Sequence, residues 1–352
     1  MRTTSLFATL TLAMAVRPCA GSDPNAILWQ PPGKITLRDW IWGPGGETRA
    51  PKPPFEFLEE DLKGTNPKIK VRDATGNRWI VKFGGEDHSD VFVSRLLYAT
   101  GYVTQPTYFV VNGVITGAHN LRRAKPFLAK DGAFTYARFK LHDHAMVPYP
   151  EGPTWSWNDN PFAGTHELNG LKILMMLTSN WDAKDARDGE GSNTAVYSKP
   201  GPAGNRLYYA FDDWGAAMGK WGGFFERDKW NPTGYREQTK DFARGAPGSA
   251  IEWGYRGKHG KDITSGISAG DIRWLLTYLS RATGEELRAG LRASGAAEPE
   301  IDIYARSIRD RIAQLERLSM TPVAPGTPAT ARARLTSAPF PTGAPEFQKP
   351  YR

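Results

Sequence analysis

The stretch from Asn180 to Gly215 constrains this chain more than any other. It follows a segment with Leu168, Leu171, Leu174, Met175 and Thr178 on one helical face. It opens Asn180-Trp181-Asp182-Ala183-Lys184 and runs through Ser192-Asn193-Thr194-Ala195-Val196-Tyr197. It closes in Leu207-Tyr208-Tyr209-Ala210-Phe211-Asp212-Asp213-Trp214-Gly215. A chain with this order places a helix, an Asp-x-Lys turn and two short apolar strands in succession. An Asn stands just before the first strand and an Asp-Asp-Trp-Gly just after the second.

Upstream, Lys68 to Val71 and Arg78 to Phe83 read as strands joined by a turn at Ala74-Thr75-Gly76-Asn77. Ser89 is the expected cap of a helix with Val93, Leu96 and Leu97 on its apolar face. Thr107 to Val111 is a β-branched and aromatic strand, and Tyr136 to Leu141 reads as another. Downstream, Ser268-x-x-Asp271 and Thr283-x-x-Glu286 are capping boxes that open helices. A last helix carries Ile301, Tyr304, Ile308, Ile312 and Leu315. The expected class is therefore α+β, with a small antiparallel sheet and one helix followed by a mainly helical part.

The ends read differently. Arg2, the apolar run Leu6 to Val16 and the small residues Ala20, Gly21 and Ser22 have the layout of an export signal, residues 1–22. The run is short for a bilayer span, so no stable transmembrane segment is expected after processing. A periplasmic or secreted location follows, with tethering by the N-terminus as the alternative. Cys19, the single cysteine, falls near the expected cleavage point, so the mature chain has no disulfide and no thiol nucleophile. Residues 23–55 are rich in Pro, Gly and Trp and read as an extended arm. Residues 321–352 are rich in Pro, Ala, Thr and Arg without a period and read as disordered. The net charge of +8 suits an anionic partner. No interleaved basic and aromatic run points to nucleic acid. His142-Asp143-His144 lacks the further spaced ligands of a zinc site, and no Gly-x-Ser-x-Gly elbow is present. The tryptophans from Trp214 through Trp221 and Trp230 read as core and loop packing.

Read as chemistry, the 180–215 stretch holds the parts that phosphoryl transfer from a nucleotide requires. These are a carboxylate for the nucleophile's proton, a Lys for developing charge, and an Asn with a second carboxylate for a metal. These residues resemble the kinase-like fold, in the branch of HipA toxin kinases, spore-coat kinases and secretory-pathway protein kinases. They are most similar to a group of exported bacterial proteins that share an Asn-Trp-Asp-x-Lys-Asp turn, here Asn180 to Asp185, and an Asp-x-Gly-Ala, here Asp213 to Ala216. The resemblance covers residues 56–320. It implies two lobes: a nucleotide-binding sheet lobe over 56–125 and a helical lobe with the metal loop over 126–320.

The resemblance further implies roles. Lys82, in Arg78-Trp79-Ile80-Val81-Lys82-Phe83, would grip the α and β phosphates, with Glu86 or Asp90 as its acidic partner. Gly64-Thr65-Asn66-Pro67-Lys68 looks like the Gly-x-Gln-Pro-Lys loop of the HipA group. Gly64, Thr65 and Lys68 would then lie over the phosphates. Asp182 would be the catalytic carboxylate and Lys184 would sit near the γ-phosphate. Asn193 would be the metal-holding Asn, displaced by an insertion over Ala186 to Gly191 that a loop can absorb cheaply. Asp213 would be the main metal carboxylate. Asp212 is its competitor, and Gly215 two residues after Asp213 favours the latter. ATP and Mg²⁺ or Mn²⁺ are the implied cofactors. The implied partner is a hydroxyl-bearing acceptor: protein, lipid, sugar or small molecule. The same motifs also admit a kinase-like envelope binding module without catalysis, or an AMP transferase.

Overall fold

The computed structural model describes residues 23–320 except 63, 65, 143–146, 149–153, 190, 203, 224 and 246–249. The expected leader over 1–22 with Cys19, the expected tail over 321–352, and Thr65 of the expected phosphate loop lie outside the described residues.

The chain begins with β1 (Ala26–Ile27) and α1 (Leu37–Trp42). Then come β2 (Phe55–Asp61), β3 (Lys68–Arg72), β4 (Arg78–Lys82), α2 (Asp87–Ala99), β5 (Thr107–Thr116) and β6 (Ala133–Leu141). The strands β2 to β6 curl into a closed barrel in the order β2-β3-β4-β6-β5. Period-two alternation explains why. Trp79 and Val81 of β4, and Ile69 and Val71 of β3, point to one side and are fully buried there with Phe134 and Phe139. The remaining residues of β4, including Lys82, face the other way. All pairings are antiparallel, as the sequence predicts, except the closing seam. There Phe55 and Glu56 run parallel to Ile115 and Thr116. The expected turn at 74–77 is built on Asp73, whose carboxylate accepts the Thr75 and Asn77 N–H groups and the Trp79 indole N–H.

Helix α2 starts earlier than the sequence implied. Glu86 is the N-cap, and Ser89 lies inside the first turn, donating its hydroxyl to the carbonyls of Glu86 and Gly215. Val93, Leu96 and Leu97 are buried as expected.

The second hydrophobic cluster is built mainly from helices. It contains α3 (His166–Leu177), α4 (Pro232–Thr239), α5 (Gly260–Thr264), α6 (Ala269–Leu279), α7 (Gly284–Ala293) and α8 (Glu298–Ser319). Both capping boxes form, Ser268 with Asp271 and Thr283 with Glu286. Along α8, Ile301, Tyr304, Ile308, Ile312 and Leu315 are buried at helical spacing. A small sheet in the order β1-β9-β8-β7 packs here, made of β7 (Val147–Pro148), β8 (Thr194–Lys199) and β9 (Arg206–Phe211) with β1 at its edge. A two-residue ladder, β10 (Ala243–Arg244) with β11 (Glu252–Trp253), completes the strands.

The expectation of an extended arm over 23–55 needs correction. β1 pairs in parallel with β9, and α1 forms with a capping box. Leu28 and Trp40 are almost wholly buried in the helical cluster. Burying two large side chains is worth several kcal/mol, so this segment is part of the core. Trp214 and Trp221 are likewise buried, and Trp230 stacks on His88 and packs on Tyr304. That matches the packing role expected of the tryptophans.

Candidate functional site

The outward face of β4 and β6 carries three cations in register. Lys82 sits opposite Arg138, and Ile80 sits opposite Lys140. Three carboxylates meet them. Lys82 Nζ lies 3.2 Å from Asp213 Oδ2, Lys140 Nζ lies 2.6 Å from Asp212 Oδ1, and Arg138 Nε lies 3.3 Å from Asp90 Oδ2. The barrel is thus joined to α2 and to the end of β9 through a layer of matched charges. Matching is required, because an unpaired charge here would bear its full desolvation penalty.

Lys82 is the centre of this layer. Besides Asp213 it faces Glu86 at 3.7 Å and Asp90 at 3.9 Å. Burial pulls its pKa down, but the charges of Asp213 and Asp90 outweigh burial and the net shift is upward. Asp213 shows the converse. Burial works to raise its pKa, yet Lys82, the Gly215 N–H and Arg138 hold it well below the usual carboxylate range. Both groups are therefore ionised at neutral pH. Asp90 also accepts the Trp214 N–H at 2.8 Å, so it ties α2 to the Asp213 turn. Gly215 is required sterically: a Cβ there would lie 2.6 Å from Glu86 Oε2.

Asp212 and Asp213 follow directly after β9, and their side chains diverge. Asp212 is held by Lys140 and by the Tyr197 hydroxyl at 2.5 Å. Burial opposes its ionisation, but Lys140 and Tyr197 keep its pKa low. Asp213 turns to Lys82 and keeps 37 % of its side chain exposed.

The Asp182 turn is wired to this pair. Asn180 Nδ2 donates to the Asp213 carbonyl at 3.2 Å, and Asn180 Oδ1 accepts the Asp182 N–H at 3.1 Å. Asn193 Nδ2 donates to the Asp182 carbonyl at 2.7 Å and lies 3.3 Å from Asp182 Oδ2. Lys184 Nζ is 3.0 Å from that same oxygen. The insertion loops out as a 3₁₀ turn over Ala186–Asp188, and Asn193 still reaches back, its N–H bonded to the Lys184 carbonyl. The structure thus brings Lys82, Glu86, Asp90, Asp182, Lys184, Asn193 and Asp213 into one web.

The expected phosphate loop is joined more loosely. Gly64 has φ +71° and its carbonyl accepts from Arg123. Lys68 sits directly across from Lys82 on the neighbouring strand, but its ammonium pairs with Asp61 at 3.2 Å. Asn66 Nδ2 donates to Glu86.

Four residues of the web escaped sequence reasoning as site residues. Arg138 and Lys140 alternate along the strand read at 136–141, which was the available signal. Asn180 opens the quoted motif. Lys229, which donates to Glu86, carries no local signal at all.

Among the described residues, one group has three possible metal ligands close together: Asp185, Asp188 and His259. It excludes Asp213 and Asn193. Arg187 and Lys258 neutralise it, Arg187 reaching both Asp185 and Asp262 at 2.6 and 2.7 Å, and Lys258 reaching Asp188 at 2.9 Å. It braces the insertion against α5.

Asp87 stands behind the charge layer, 2 % exposed, and among the described residues neither of its oxygens lies within good hydrogen-bond geometry of a donor. Burial, only partly offset by Arg138, pushes its pKa up to about 8. The unfolded value is near 4, so between about pH 4 and 8 the folded chain holds a proton that the unfolded chain has released. Stability contributed here is present at low pH and is lost as pH rises towards 8. Asp87→Asn is expected to gain about 1–3 kcal/mol over wild type at pH 9 and little at pH 5. Urea unfolding at the two pH values checks this; equal differences at both would refute it.

Among the described residues, no helix is long and apolar enough to cross a membrane. No family model matches the chain. No match is found among curated proteins. Solved structures that overlay on it include a crystal structure of the Golgi casein kinase, and one of the Golgi casein kinase with Mn/ADP bound. Each gives a TM-score of 0.30 at 11 % identity, covering 81 % of this chain and 76 % of that chain. Overlap at that level is too loose to carry any inference about residues or activity.

Proposed function

We propose that this chain is a metal- and ATP-dependent phosphotransferase of the atypical kinase-like type, two-lobed and acting outside the cytoplasm. The observation that carries the reading is the meeting of Lys82 with Asp213, 131 residues apart, at 3.2 Å, with the Asp182 turn tied to Asp213 through Asn180. Lys82 would take the α and β phosphates of the nucleotide. Asp213 and Asn193 would hold Mg²⁺ or Mn²⁺. The donor set fits such an ion: Asp213 is ionised and its side chain is part-exposed. Asn193 commits its Nδ2 to Asp182, which leaves its Oδ1 as the oxygen available to a cation. When bound, the ion would neutralise phosphate charge. Asp182 would orient and accept the proton of the acceptor hydroxyl, and Lys184 would offset charge on the transferred group. Glu86 and Asp90 keep Lys82 in place. The location follows from the export-signal pattern read in residues 1–22.

The test is incubation of the mature chain with ATP and Mg²⁺ or Mn²⁺, read by intact mass, ATP turnover and thermal shift, with Asp182→Ala alongside. Wild type is expected to be stabilised by nucleotide with metal and to turn ATP over. Asp182→Ala should keep the stabilisation and lose roughly 10²–10⁴-fold in turnover. An AMP adduct would reassign the reaction to nucleotidyl transfer. No stabilisation of a folded sample would refute a nucleotide site.

A further inference from the structure

Lys229 has no place in that scheme, yet it reaches Glu86, the carboxylate beside Lys82. It lies on the loop between Asp213-Trp214-Gly215 and α4, and its ammonium donates to Glu86 Oε1. The other Glu86 oxygen accepts from Asn66 Nδ2 at the β2–β3 loop and lies 3.7 Å from Lys82 Nζ. Glu86 is thus a carboxylate bracketed by two ammonium groups and the amide of a loop that would cover phosphates. That donor set is the one an anionic phosphate oxygen seeks.

The two lysines are not equivalent. Lys82 has Asp213 and Asp90 besides Glu86. Among the described residues, Glu86 is the single carboxylate paired with Lys229. The Lys229 backbone is also held in place. Asp228 Oδ2 takes the Asn231 amide at 2.5 Å, and its carbonyl takes the Trp181 indole N–H at 2.8 Å. Trp230 stacks on His88 with ring centres 5.0 Å apart. The ammonium itself passes 5.7 Å from the Trp181 ring centre, beside the Asp182 turn. A cation on so braced a loop is positioned before any ligand arrives, which lowers the ordering cost of binding.

We propose that Lys229 is a second phosphate-binding cation of the Lys82 site, and that Glu86 is the internal anion its ammonium holds until a nucleotide phosphate replaces it. The proposal rests on the nucleotide reading above and adds a sign to it. If Glu86 served only to orient Lys82, removing its charge would weaken nucleotide binding. If Glu86 competes with phosphate for Lys229, removing its charge strengthens binding when no metal is present.

Calorimetric titration of the mature chain decides the matter, using ATP, inorganic pyrophosphate and adenosine, in EDTA and with Mg²⁺. Lys229→Gln is expected to weaken ATP and pyrophosphate about tenfold and to leave adenosine unchanged, while Lys229→Arg stays within about threefold of wild type. Glu86→Gln is expected to tighten ATP in EDTA by about threefold or more. Unfolding midpoints without ligand confirm that each variant is folded. Wild-type affinity in Lys229→Gln, or weaker ATP binding by Glu86→Gln in EDTA, overturns this proposal alone. A wild type that binds neither ATP nor pyrophosphate overturns the nucleotide reading and this proposal with it.

Discussion

Replacing Asp213 by alanine is expected to erase the metal dependence of nucleotide binding and, with it, turnover. The carboxylate faces Lys82 at 3.2 Å and is held by the Gly215 N–H at 3.0 Å. Its low pKa keeps it charged at any pH where a divalent ion would bind. Alanine removes that charge but leaves Lys82 with Glu86 and Asp90 nearby. The site becomes more positive, so metal-free ATP binding should hold or rise while the gain from added Mg²⁺ or Mn²⁺ disappears. Titration of ATP in EDTA and with metal separates the two effects. Asp212→Ala is the control: it breaks the Lys140 and Tyr197 contacts and should cost stability while keeping the metal response. If Asp212→Ala lost the response and Asp213→Ala kept it, the two roles would be exchanged.

The largest loss of stability is expected from Arg311→Met. Arg311 is 0 % exposed and has no carboxylate within ion-pair distance among the described residues. Carbonyls and rings hold it instead. Nη1 donates to the Leu177 carbonyl at 2.8 Å and to Ser179 Oγ at 2.7 Å, and Nη2 donates to the Tyr235 carbonyl at 3.0 Å. The guanidinium lies 3.7 Å from the centre of the Tyr235 ring. Burial lowers its pKa to about 10, so it remains charged at neutral pH. Methionine of similar length would fill the space but strand these acceptors in the core. The cost should be about 3–5 kcal/mol, or on the order of 10 °C in Tm for a chain of this size. There is a functional consequence too. Ser179 has φ +57°, and this left-handed residue turns the chain out of α3 into Asn180-Trp181-Asp182. Arg311 fixes that turn, so Arg311→Met should also lower ATP turnover more than its loss of folded population explains. A Tm within about 2 °C of wild type would refute the role.

Much of the local structure was legible from local rules. The capping boxes at Ser268 and Thr283 concern residues three apart, and both formed where they were expected. Alternation in Arg78 to Phe83 turned Lys82 away from the buried Trp79 and Val81. Ser89 misled because a residue that can cap a helix also fits within its first turn, and the Gly215 carbonyl decided between the two. The arm over 23–55 misled because Leu28 and Trp40 show no period in a short Pro-rich and Gly-rich segment. The burial of Trp40 depends on a helix more than two hundred residues away, with α1 packed on α7 and Trp40 against Gly290.

The sequence by itself determined the order of elements, the apolar faces, the caps, and the placing of Asp182, Asn193 and Asp213 at the ends of a turn and two strands. Those are consequences of backbone geometry within a few residues, which composition and spacing record directly. Only the tertiary structure decided that Lys82 meets Asp213, that Asp212 turns to Lys140 and Tyr197, that Glu86 belongs to Lys229 as much as to Lys82, and that Arg311 holds the Asp182 turn. Each of these is a charge or donor paired across a buried surface. Such pairs are selected by the cost of leaving either partner unpaired once packing has brought it out of water, and no local spacing encodes which residue will be there.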